Sequence, residues 1–207
     1  MEALLNSIND LKNSDIKKVI DSRINEFKEF GEKSDDEVFC ELCFCLLTAN
    51  YDAEKAIKIQ EQIHDGFCTL SENDLPNILR GCGYRFPNVR SKYIVNSRDV
   101  KKDLKGVLQS FHGYELRDWF VDNVKGLGYK EASHFLRNIG FDDYAIIDFH
   151  IVDLLVKYKL IEKPKTISKK KYLEVENVLK DIAKKSDLTL AELDLYLWYL
   201  ETGKILK

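Results

Sequence analysis

The sequence predicts an all-α protein. Apolar residues recur at helical spacing along nearly the whole chain. Only three prolines and ten glycines interrupt that pattern. No alternating run joined by a tight hairpin turn appears. Taken in order, residues 9–30 carry Ile16, Val19, Ile20, Ile24 and Phe27 on one helical stripe. Ser34 with Glu37 three residues on reads as a capping box, and it opens a helix running to residue 49 or so. Asn50, Tyr51 and Asp52 break that helix, and residues 53–63 begin the next. Further helices are expected over 72–81, 89–97, 113–123, 129–139, 148–158, 169–184 and 190–199, with start signals at Ser71 and Thr189. The count comes to about ten to twelve helices. The one segment with linker character is 161–168, which contains Pro164.

At 207 residues, with 44% hydrophobic and 32% charged side chains, the chain can bury a substantial core. No apolar run reaches the roughly 18 residues of a membrane span. The start, Met1-Glu2-Ala3-Leu4-Leu5-Asn6, lacks the basic opening of a secretory leader. A cytoplasmic protein, monomeric and with no membrane partner, is therefore expected. Five cysteines do not form an even disulfide framework. Cys40, Cys43 and Cys45 crowd together, and the first two have the spacing of half a zinc site. No second half completes it, and Phe39, Leu42, Phe44, Leu46 and Leu47 surround it, so core packing is the expectation and a metal is not. The net charge of −3 does not advertise a nucleic-acid binder. Its distribution is more useful: Glu32, Asp35, Asp36, Glu37 and Glu41 make an acidic stretch. Arg85, Arg90, Lys92, Arg98, Lys101, Lys102 and Lys105 make a basic one, and a second runs through Lys157, Lys159, Lys163, Lys165 and Lys169 to Lys171. DNA binding and ordinary solvated helix faces both fit these patches.

The chemistry concentrates in Val124-Lys125-Gly126-Leu127-Gly128-Tyr129-Lys130-Glu131-Ala132. Gly126 and Gly128 permit a tight turn and close backbone approach. A helix begins directly afterwards, so its free N–H groups and positive dipole end offer a phosphate site. Lys130 stands in its first turn, and Asp148 follows 18 residues later, in Ile146-Ile147-Asp148-Phe149-His150. An amine and a carboxylate beside a phosphate-binding turn point to covalent chemistry on a nucleic-acid sugar.

These residues resemble the helix-hairpin-helix DNA glycosylases: a Gly-hydrophobic-Gly hairpin, a lysine, an alanine two residues on, then Asp-x-His. Leu46-Leu47-Thr48-Ala49-Asn50 matches the family's upstream helix, and the likeness covers about residues 35–155 well. Lys125 stands where many members have proline, which bears on the rigidity of the turn. The resemblance implies two helical lobes, 32–141 and 1–31 plus 142–207, with an active-site cleft between them. Lysine together with aspartate implies glycosylase plus lyase activity. Branches with a C-terminal iron–sulfur cluster carry four late cysteines, and no cysteine follows Cys82 here. The short chain, the late tryptophan and the terminal lysine resemble the compact archaeal class of 8-oxoguanine DNA glycosylase/AP lyase. Damaged DNA is then the partner. No cofactor is implied beyond a monovalent cation at the hairpin.

The resemblance assigns roles. Lys130 would attack C1′, which requires a neutral amine against an ordinary pKa of about 10.4. Partial burial and the helix start would lower it. Asp148 would stabilise charge on the sugar, and capping a helix is compatible with that role. Asp194 and Trp198 share a helix face at i, i+4. Trp198 would stack on the flipped base, or anchor the core. Asp194 would accept from a guanine edge. Phe86 is a second stacking candidate, and His134, one turn after Lys130, would line the pocket. The terminal lysine points to Lys207, whose carboxylate accepts hydrogen bonds from the N7–H that oxidised guanine carries and guanine lacks. Asn50 would fill the gap left by the flipped base, or end its helix. Gly126 and Gly128 would hold a DNA phosphate. Three other readings stand beside this one: a sister glycosylase for oxidised pyrimidines, a non-catalytic DNA-binding module, and a structural helical protein tied by metal.

Overall fold

The computed structural model describes residues 1–207 and contains thirteen α-helices and no strand. They are α1 (Glu2–Lys12), α2 (Ile16–Gly31), α3 (Asp35–Thr48), α4 (Ala53–Ile63), α5 (Gly66–Thr69), α6 (Asp74–Gly81) and α7 (Pro87–Lys101). Then follow α8 (Leu104–Ser110), α9 (Gly113–Asn123), α10 (Tyr129–Asn138), α11 (Phe149–Lys157), α12 (Lys169–Ser186) and α13 (Leu190–Thr202). None is long and apolar enough to cross a membrane. The expected helix over 9–30 is divided in two. Ser14 separates α1 from α2, its Oγ donating to Leu11 O at 2.8 Å and accepting from Ile16 N at 3.3 Å. The short α5 and α8 escaped the periodicity reading, since four and seven residues are too few to show a helical stripe.

The chain divides into two compact units, Phe30–Phe135 and Met1–Glu29 with Leu136–Lys207. In the first, α3 is the centre and is buried on all sides, packing against α4, α5, α7 and α8. Its capping box forms as expected, Ser34 Oγ accepting from Glu37 N and Glu37 accepting from Ser34 N. Cys43 and Cys45 lie wholly inside this core. Burial pushes the Cys40 thiol up to about 12 and the Cys43 thiol well above its ordinary value. Burial thus favours the protonated thiol at both positions.

The second unit packs α1 against α12 and α13, and α11 against α13. Ile20, Ile24 and Phe27 of α2 join Ala191, Leu195 and Tyr196 of α13 in one cluster. Gly140 has φ +97°, and a Cβ there would lie 2.9 Å from the Lys28 backbone, so the chain after α10 presses directly on α2. The extended segment before α11 is buried at Tyr144, Ala145, Ile146 and Ile147. Its backbone is satisfied by α12: Tyr172 Oη donates to Ala145 O at 2.6 Å and accepts from Ile147 N at 3.2 Å, and Glu176 accepts from Ala145 N at 3.2 Å. That support delivers Asp148 to the start of α11.

Candidate active site

The hairpin lies in the unit Phe30–Phe135. Val124 O accepts from Leu127 N at 3.1 Å to close the turn, and Gly128 O accepts from Ala132 N at 2.9 Å to open α10. Gly126 has φ +91°, and a Cβ there would fall 2.2 Å from Cδ2 of Tyr93. Glycine is required on both counts. Gly128 is less constrained, because its Cβ would meet only the mobile end of Glu131 at 3.1 Å. Tyr93 is the floor of the turn, with Lys125 Nζ 6.0 Å and the Arg90 guanidinium 5.5 Å from its ring centre. The sequence reading missed this tyrosine, whose only signal was an aromatic placed inside a basic run.

Lys130 is half-buried in the first turn of α10, and no ion pair or hydrogen bond engages its Nζ. The helices around it are braced from within. Arg117 is fully buried, donates to Ser133 Oγ at 3.2 Å, and lies between the rings of Tyr114 and Tyr129 at 5.4 and 5.1 Å. The Tyr129 hydroxyl donates to Asp118 of α9. These contacts fix where α10 begins, and so where Lys130 stands. His134 is 5% exposed and packs edge-on against Phe44 at 5.6 Å, so its ring belongs to the core of this unit.

Asn50 is exposed with φ +57°, one residue beyond the C-cap Ala49. The left-handed conformation suits asparagine at a helix end, and it leaves the side chain in solvent. The helix-ending role is thus present, and the insertion role is not obstructed. Phe86 is half-buried before Pro87, the first residue of α7, with Tyr84 edge-on at 6.4 Å and the Arg85 guanidinium at 5.0 Å.

The remaining candidates lie in the other unit. Asp148 caps α11, its Oδ1 accepting from Ile151 N at 3.0 Å. His150 is exposed, and its ring lies edge-on to Trp198 at 5.0 Å. Trp198 is half-buried, and its Nε1 is buried without a hydrogen-bond partner. Asp194, expected as a free acceptor for a base edge, is instead 3.4 Å from Arg137 Nη1, the two side chains being 11% and 4% exposed. A buried guanidinium, itself stacked on Phe27 at 4.6 Å, needs an anion more than a solvent-facing base does. Lys207 is half-buried beyond Gly203, which ends α13 in the left-handed conformation.

A helix-hairpin-helix turn followed by lysine, with an Asp-capped helix downstream, is the signature of DNA-acting helical enzymes. The sequence profile described as 8-oxoguanine DNA glycosylase matches residues 20–188. The 8-oxoguanine DNA glycosylase/AP lyase of Methanocaldococcus jannaschii is 53% identical over 99% of both chains, and that of Korarchaeum cryptofilum is 49% identical over 100% of this chain and 99% of its own. The crystal structure of the M. jannaschii enzyme in complex with a 15mer DNA containing 8-oxoguanine superposes with a TM-score of 0.96, covering 99% of this chain and 100% of that one. The Thermotoga maritima 8-oxoguanine DNA glycosylase gives 0.93 at 41% identity, covering 100% and 99%. The chain belongs to the 8-oxoguanine DNA glycosylase family.

Proposed function

We propose that the protein is a bifunctional base-excision repair enzyme that removes 8-oxoguanine from DNA and then cuts the strand. The observation that carries this reading is Lys130, in the first turn after the Gly126–Gly128 hairpin. It stands in a chain 53% identical along nearly its whole length to an 8-oxoguanine DNA glycosylase/AP lyase.

The chemistry follows from the groups present. Lys130 Nζ, as a neutral amine, attacks C1′ of the damaged nucleotide. The glycosidic bond breaks, its electron pair leaves with the base, and the base takes up a proton. The sugar ring opens to a Schiff base between Nζ and C1′. Loss of a proton from C2′ then expels the 3′ phosphate and cuts the strand. Asp148 stabilises positive charge as it develops on the sugar and helps move these protons. Its second carboxylate oxygen remains for this task while Oδ1 holds the cap.

The backbone amides of Gly126 and Gly128 grip a phosphate, and Asn50 fills the gap in the duplex. A monovalent cation at the same turn would take Val124 O, which accepts from Leu127 N, as one ligand. It would supply charge for phosphate binding. Base reading falls to Trp198 by stacking and to the Lys207 carboxylate by accepting from the N7–H. Phe86 adds a stacking surface on the duplex. Asp194 contributes by holding the Arg137 guanidinium.

Borohydride trapping on an oligonucleotide carrying one 8-oxoguanine tests the reading. The wild-type protein should form a covalent adduct, and Lys130→Gln should form none. An adduct with the variant would move the nucleophile elsewhere, and no adduct with wild type would remove the lyase chemistry.

A further inference from the structure

We propose that Arg90 and Tyr93 are positioning residues that set the distance between the Asn50 turn and the Gly126 hairpin. The inference rests on the reading of those two segments as gap filler and phosphate grip. The link is continuous. Arg90 Nη2 donates to Ala49 O, the carbonyl directly before Asn50, at 3.3 Å. Three residues on along α7, the Tyr93 ring lies 5.5 Å from the same guanidinium. The far side of the link is Gly126, whose missing Cβ would overlap the ring at 2.2 Å. One turn of one helix thus touches both segments.

The Asn50 end is held twice. Tyr84 Oη donates to Leu47 O at 2.8 Å, two residues before the carbonyl that Arg90 holds. A flipped nucleotide places two demands on the protein at once. Its phosphate must be gripped, and the space it left must be filled. DNA geometry dictates the separation of those two points, so an error of about 1 Å costs roughly a hundredfold in rate. Arg90 and Tyr93 are rigid enough to hold it, through a planar guanidinium and an aromatic ring.

The test compares single-turnover excision of 8-oxoguanine from a duplex and from the single strand, in which no gap needs filling. Tyr93→Leu and Arg90→Met should lose about 10- to 100-fold on the duplex and less than about threefold on the single strand. Tyr93→Phe, which keeps the ring, should behave as wild type. In an Asn50→Ala background the duplex loss from Arg90→Met should largely disappear, because the link then has nothing to position. Equal losses on both substrates, or losses that multiply independently with Asn50→Ala, would overturn the inference while leaving the glycosylase reading intact. A wild-type protein inactive on both substrates would overturn that reading, and this one with it.

Discussion

At the scale of single residues, the cations fall into two kinds of surroundings. Lys130 keeps its Nζ unengaged in the first turn of α10, whereas Arg117 and Arg137 are buried among rings and polar partners. A buried cation is costly unless matched, so these arginines absorb the local acceptors: Ser133 for Arg117 and Asp194 for Arg137. That competition engages Asp194 with Arg137, so the proposed base reading rests on Lys207. Deleting Lys207 should reduce excision of 8-oxoguanine about 10- to 100-fold, the range for a hydrogen bond to a charged acceptor. Cleavage of a preformed abasic site should change little. Comparing the two rates on one oligonucleotide pair checks this; equal losses would assign Lys207 to folding or general DNA binding.

At the scale of elements, the proposed catalytic carboxylate is also a helix cap. Asp148 ends an extended segment held by Tyr172 and Glu176 and begins α11 by accepting from Ile151 N. Asparagine caps a helix as well as aspartate does, but it carries no charge. Asp148→Asn should therefore retain stability to within about 0.5 kcal/mol, whereas Asp148→Ala should lose about 1 kcal/mol. Both should lose at least about a hundredfold in excision rate. Thermal melts beside single-turnover rates separate the two effects, and an active Asp148→Asn would reduce this residue to a cap. Helix starts were the most legible elements because their signals are local: Ser34 with Glu37 and Thr189 with Glu192 both form complete capping boxes. The division between α1 and α2 was not legible. It depends on Ser14 satisfying its neighbours' backbone inside a stretch whose apolar period continues unbroken.

At the scale of the whole molecule, the net charge of −3 sets an apparent obstacle to DNA binding. The relevant quantity is local: Arg90 and Lys125 both lie over Tyr93 at the hairpin turn, and Arg85 lies over Phe86 in the same unit. Duplex affinity should thus fall steeply with salt, each phosphate contact adding about 0.9 to the slope of log K against log salt. Lys125→Ala should lower that slope by about one. Fluorescence anisotropy over a salt series measures it, and a flat dependence would rule out phosphate-led binding.

The sequence by itself determined the helical class, the hairpin glycines, the lysine that follows them, the capping aspartate and the family likeness. Each of these is written in contiguous residues or short fixed spacings, where periodicity and backbone conformation act locally. Only the tertiary structure decided what stands around them. Tyr93 fills the space of an absent Cβ at Gly126, Arg117 braces α9 and α10, and Arg137 claims Asp194. Tyr172 reaches back 27 residues to hold Ala145. These partners are chosen by which side chains arrive at the same place on folding. Burial makes the choice binding, because a charge or amide removed from water must find its partner among the groups already there.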